Sequence, residues 1–154
     1  MADTEQEKDK LPRPAAPASR AKSGLPSSLT YHYTKFRSQL ELRFVRELDE
    51  RQFRWFYEPE RLGDGRYLVD FYLPECKCWV EVKGVVDSRD HLVLREVAEL
   101  LRVERKHRLY MYMDKSAFVV YPEGFKPISH EDFWAALAKH KLEHNPSNET
   151  KPKT

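Results

Sequence analysis

The sequence predicts a mixed α/β fold: a central mixed β-sheet flanked by helices. Three observations carry this reading. Apolar residues recur at helical spacing in three separated segments. Short aromatic and β-branched runs, bounded by Gly, Pro and Asp, lie between them and read as strands. The order that results is helix, three strands, helix, two strands, helix, which builds one sheet with helices packed on it.

The first helix spans SQLELRFVRELDERQ, Ser38 to Gln52, where Leu40, Phe44 and Leu48 recur at spacing four with Val45 beside them. Ser38 is a good N-cap, and Glu41 takes the capping-box position three residues on. FRWFYEP follows, rich in aromatics and ended by Pro59, as a first strand. The GDG triplet, Gly63 to Gly65, signals a tight turn. RYLVDFYLP, ended by Pro74, is the second strand, and CKCWVEVKG the third. Residues 89–105 place Val93, Val97, Leu100 and Leu101 at helical spacing. RLYMYM and AFVVYP are two more strands, divided by a turn at Asp114 to Ser116. EDFWAALAKH closes the domain as a helix, with Ser129 as its cap.

A chain of 154 residues corresponds to one domain with tails. Residues 1–28 are dominated by charged residues, Pro, Ala and Ser without a hydrophobic period and read as a disordered tail. Residues 142–154 read the same way, which leaves 29–141 as the folded domain. Hydrophobic residues make up 40% of the chain, enough for a core, and the 34% that are charged nearly cancel at +2. That balance excludes a strongly basic nucleic-acid coat protein, so any anion site must arise from local clustering. No apolar run approaches the ~18 residues of a membrane span, so no membrane partner is expected. No hydrophobic signal segment opens the chain, and a cytoplasmic location is expected. Cys76 and Cys78 are too close in sequence for an unstrained bridge and read as reduced thiols. A metal site built on them would need a second ligand pair, and neither it nor a ligand spacing among His32, His130, His140 and His144 is evident.

Charged residues inside the strands carry the functional signal. Side chains alternate along a strand, so in CKCWVEVKG Cys78, Val80 and Val82 share one face, and Lys77, Trp79, Glu81 and Lys83 the other. Glu81 and Lys83 are therefore neighbours, which on a half-exposed strand could be an ion pair of little energetic value. Asp70 changes the balance. It lies among aromatic and aliphatic residues, although Asp is a poor strand former and a buried carboxylate needs a partner, a cation or a function. Asp70 and Glu81 together suit a hard divalent cation, with the Val82 backbone carbonyl as a further oxygen ligand. Glu41, at the edge of the first helix's apolar stripe, supplies a third acid, whereas Glu47 and Glu50 fall toward solvent.

Asp70, followed after ten residues by Glu81-Val82-Lys83, resembles the signature of the PD-(D/E)XK nuclease superfamily. SQLE at Ser38 to Glu41, Tyr57-Glu58-Pro59, DFYLP at Asp70 to Pro74, and Gly84 with the charged segment SRDHLVLRE after it are similar to small phage and mobile-element nucleases, including the phage endonuclease I type of Holliday-junction resolvase. The resemblance covers residues 38–113. Val69 stands where the family usually has proline. Glu41 and Asp70 are 29 positions apart (70 − 41) with GDG between them, shorter than the bridge that the resolvases exchange between subunits.

The resemblance implies a restriction-endonuclease-like core and a Mg²⁺-dependent DNA endonuclease, with Mn²⁺ as a substitute ion. Glu41, Asp70, Glu81 and Lys83 would be catalytic. Asp70, Glu81, Glu41 and the Val82 carbonyl would hold metal, and Lys83 would orient the attacking water and stabilise phosphate charge. Arg89, His91 and Arg95, which begin the next helix, would contact the DNA backbone. The dense run Arg102, Arg105, Lys106, His107 and Arg108 reads first as a complement to its helix's dipole. A dimeric, structure-selective resolvase acting in recombination and a non-catalytic nucleic-acid-binding module on the same fold are the alternatives. A homodimer and a partner protein that supplies targeting both stay open, as does DNA against RNA. A phage-encoded protein would act in the cytoplasm of its bacterial host.

Overall fold

A computed structural model describes residues 29–144. The chain enters through a small hairpin of β1 (Thr30–Tyr31) and β2 (Thr34–Lys35), paired Thr30 to Lys35. Helix α1 (Gln39–Glu50) follows, capped by the Ser38 hydroxyl, which accepts the Glu41 amide. Then come β3 (Phe56–Tyr57), β4 (Arg61–Leu62), β5 (Tyr67–Leu68), β6 (Phe71–Leu73) and β7 (Cys78–Val82). Helix α2 (Ser88–Glu104) leads to β8 (Arg108–Tyr112), β9 (Ala117–Tyr121) and β10 (Gly124–Ile128), and α3 (His130–Glu143) ends the described chain.

The architecture is mixed α/β, with a six-stranded mixed sheet in the order β10-β9-β8-β7-β6-β3. Strands β7 and β8 are parallel and joined by α2 as a crossover, and every other pair in this sheet is antiparallel. On one side, Phe44, Val45 and Leu48 of α1 and Phe133 and Leu137 of α3 pack on Phe71, Cys78, Val80 and Val82. On the other, Leu94, Val97, Ala98 and Leu101 of α2 pack on Val69, Trp79, Leu109 and Met111. Each fully buried Leu or Phe contributes about 1.5–3 kcal/mol, so the two layers together hold the sheet as a sandwich filling. The alternation expected along β7 holds, with Trp79 facing α2 and its valines facing α1 and α3.

Four expectations need correction. The run RYLVDFYLP is not one strand: β5 pairs with β4 around Gly63 to Gly65, the chain bends at Val69 and Asp70, and β6 then joins the main sheet. Strand β10 was hidden by Lys126 and Pro127, because proline cannot donate in a ladder and is tolerated only at an edge, where β10 lies. The β1–β2 hairpin was hidden because its turn uses His32 and Tyr33 at φ 51° and 62°, where Asn or Gly is the usual signal. Of the expected C-terminal tail, Leu142 and Glu143 belong to α3; residues 1–28 and 145–154 lie outside the described residues. Among the described residues no helix is long and apolar enough to cross a membrane.

Cys76 and Cys78 are buried free thiols. Cys76 Sγ donates to the Leu137 carbonyl at 3.4 Å, and Cys78 Sγ to the Cys76 carbonyl at 3.3 Å. Trp79 and Trp134 are core residues.

Candidate active site

The site is built where the main sheet's backbone ladder stops. Phe71 pairs with Val80, and Tyr57 with Phe71, so one step further the register sets Glu58, Asp70 and Glu81 in a row across β3, β6 and β7. Backbone pairing still joins β3 to β6 there, because the Glu58 amide donates to the Asp70 carbonyl at 2.7 Å. Between β6 and β7 side chains take over. Glu81 Oε1 accepts the Asp70 amide at 3.1 Å, and Asp70 Oδ2 accepts the Val82 amide at 2.9 Å. Each acid thus occupies the place of a strand carbonyl, and both are fully buried. The bend at Asp70 is the local cause, since it turns that carboxylate toward the neighbouring strand.

Lys83 continues β7 past its last ladder pair, its amide donating to the Tyr112 carbonyl at 3.0 Å. Its ammonium lies 3.3 Å from Glu81 Oε2 and is only 4% exposed. The half-exposed strand imagined from sequence alone is therefore not what forms, because β7 is buried over its whole length. Access lies beyond Lys83. Gly84 is exposed, and a Cβ placed on it would meet nothing within 4 Å.

Glu41 enters from α1 and is fully buried, not at the stripe's edge. Its Oε1 accepts the Arg37 amide at 2.7 Å and the Tyr57 hydroxyl at 3.0 Å. Burial pushes the Tyr57 phenol far above its ordinary range, and the negative charges of Glu41, Asp70 and Glu58 push it the same way, against Arg37. Arg37 also pairs with Glu58, Nε to Oε2 at 3.0 Å and Nη2 to Oε1 at 3.4 Å.

The first turn of α2 adjoins Lys83. Asp87 caps it, and Asp90 completes a reciprocal capping box, each carboxylate accepting the other's amide at 2.9–3.0 Å. Asp90 is buried, and desolvation raises its carboxyl pKa, while the nearby Lys83 charge opposes that rise. Arg89 and His91 stand exposed on the same turn, with His91 stacked on Phe125 at 4.4 Å between ring centres. Arg95 is set apart from them, because its Nε donates to the Pro122 carbonyl at 2.8 Å, in the turn between β9 and β10.

Of the residues singled out from sequence, the fold gathers Asp70, Glu81, Lys83 and the Val82 backbone, and sets Glu41 against Tyr57, whose strand pairs with β6 beside Asp70. Glu58, Arg37, Tyr57 and Asp90 were not in that set. The only signal for Glu58 and Tyr57 was the Tyr-Glu-Pro motif, which carried no chemical role by itself. Among the described residues no three His, Cys, Asp or Glu side chains form a ready metal cage. A groove of about 540 Å³ lined by Glu47, Arg51, Tyr112, His130, Glu131, Trp134, Ala135 and Ala138 shares none of the acidic site's residues.

Comparison with protein-family models, with curated proteins and with solved structures returns no match for this chain.

Proposed function

We propose that the chain is a Mg²⁺-dependent DNA endonuclease working through a PD-(D/E)XK site on a restriction-endonuclease-like core. One observation carries the reading: Asp70 and Glu81 interlock through each other's strand amides, and Lys83, just past the end of the same strand and next to exposed Gly84, lies against Glu81. A structural ion pair needs one acid and one base, and it needs neither a second buried acid on the adjoining strand nor a third on α1.

The donor set fits Mg²⁺, which is usually held by one or two carboxylates and keeps several waters for substrate oxygens to replace. Asp70 and Glu81 would hold it with the Val82 carbonyl, and Glu41 would hold one of its waters or a second ion. Bound Mg²⁺, or Mn²⁺ in its place, would supply charge to the scissile phosphate and acidify a water. Lys83 places a cation beside the phosphate as negative charge develops there, and it orients the attacking water. Arg89 and His91, exposed next to Lys83, would set the register of the DNA backbone. Arg95 is engaged by Pro122 and has a smaller part in that contact. The β4–β5 hairpin closes the bridge between Glu41 and Asp70 within one chain, which favours this reading over a resolvase that exchanges that bridge between subunits.

The test is cleavage of plasmid, linear duplex, single-stranded and branched DNA with Mg²⁺ and with Mn²⁺, using Asp70→Asn as control. Metal-dependent nicking that the variant lacks supports the proposal. Equal cleavage by both proteins overturns it, and metal-independent binding without cleavage points to a binding module on the same fold.

A further inference from the structure

Glu58 stands in the same strand row as Asp70 and Glu81. Its side chain is 1% exposed, and its backbone sits at φ +47°, a region that non-glycine residues occupy at a cost. Gly or Asn would relieve that strain, so the backbone alone gives no reason for glutamate. Nor does the ion pair with Arg37 explain it through stability, because buried pairs often contribute little or nothing net once desolvation is included. What the residue does have is connections. Its amide donates to the Asp70 carbonyl, and its carboxylate takes the Arg37 guanidinium through two nitrogens. The amide of Arg37 in turn donates to Glu41 Oε1.

We infer that Glu58 is a positioning residue that, with Arg37, holds Asp70 and Glu41 in the geometry needed to bind the metal. It touches neither the metal nor the DNA. It ties the bend at Asp70 to the segment ahead of α1, which Tyr57 and the stacking of Phe36 on Phe71 also join. The strain at φ +47° is retained because this one residue serves both connections. The inference rests on the proposed endonuclease function and assigns a role within its site.

The test uses the full chain and two variants, Glu58→Gln and Arg37→Lys. Gln keeps the shape of Glu58 without its charge, and Lys keeps the charge of Arg37 without its fork. Mn²⁺ binding is measured without DNA by paramagnetic resonance, alongside half-saturating Mg²⁺ for cleavage, KM for DNA at saturating metal, and thermal unfolding. Both variants are expected to weaken Mn²⁺ binding per folded molecule and raise half-saturating Mg²⁺ by about 10–100-fold, with KM near wild type. Wild-type Mn²⁺ binding in both variants, beside an active wild type, overturns this inference and leaves the endonuclease standing. Lower unfolding midpoints with Mn²⁺ binding per folded molecule unchanged also overturn it, as a purely structural role. A wild-type protein that neither binds Mn²⁺ nor cleaves DNA overturns both.

Discussion

Glu81 accepts the amide of Asp70, and Asp70 accepts the amide that follows Glu81, so the two acids are fixed by each other's strands at 3.1 and 2.9 Å. Their spacing is therefore a property of the sheet and not of flexible side chains. An amide in place of either acid keeps one accepting oxygen and nearly the same shape. Asp70→Asn is expected to fold with an unchanged far-ultraviolet circular dichroism spectrum. On the proposed function its cleavage rate falls by about 10²–10⁴-fold, the range that several kcal/mol of lost metal stabilisation implies.

Burial and the charges of Glu41, Asp70 and Glu58 oppose ionisation of Tyr57, so its hydroxyl serves as the donor to Glu41 at 3.0 Å. Tyr57→Phe removes that donor and leaves the Arg37 amide as partner at the same oxygen. The expected loss is about 1.5–3 kcal/mol in urea unfolding, the range for a hydrogen bond to a charged group. A midpoint equal to wild type would show that Glu41 does not depend on it.

Two glycines separate local geometry from site access. Gly63 lies at φ +60°, and an added Cβ would come within 2.8 Å of the Tyr67 ring. Gly63→Ala is expected to destabilise by about 1–2 kcal/mol from backbone strain alone, before the clash is counted. Gly84 has neither constraint, since its φ lies outside the left-handed region and its surroundings are open. Gly84→Ala should leave stability unchanged or raise it by about 0.4–1 kcal/mol. It should at the same time raise KM for DNA, if substrate passes over Gly84. Thermal melts with cleavage kinetics check both halves.

Stability should fall as the solution is made mildly acidic. Burial lowers the His140 pKa, and Arg108 and His144 push it the same way. Glu143, bonded to Nδ1, pulls it up, but Glu143 is solvated and the desolvation of the ring prevails. The ring also meets the Tyr110 hydroxyl at 3.0 Å. Burial lowers the His107 pKa as well, with Arg105 and Lys77 adding to the effect. Both rings bind a proton more weakly folded than unfolded, so the unfolded chain takes up more protons as pH drops through about 6.5. Stability is complete above that value and declines below it, until the folded rings themselves titrate. Denaturant midpoints between about pH 8 and pH 5 should show this slope, and His140→Gln should flatten it. A midpoint constant over that interval would count against buried neutral imidazoles.

All three helices were legible from their spacing, and the first and last also from their caps. Ser38 and Ser129 cap where the spacing begins, and Phe44, Val45 and Leu48 turn inward as their period requires. Strands with a second job were harder to read. The run through Asp70 alternates like one strand, but the carboxylate replaces a ladder partner and the chain changes neighbours there. Asp70, Glu81 and Lys83 were recoverable from sequence because period-two geometry and a short hairpin bring them together. Glu58, Arg37 and Asp90 were not, since their significance lies in contacts between segments that no local period encodes.

The outer rim of β10 bears on how this chain behaves in company. Pro127 brings no amide hydrogen to that rim, and exposed Lys126 beside it sets a charge where a neighbouring molecule's strand would have to lie. Both features disfavour the addition of a foreign strand. Crowded copies of the chain are thereby kept from stitching their sheets into one another along this edge.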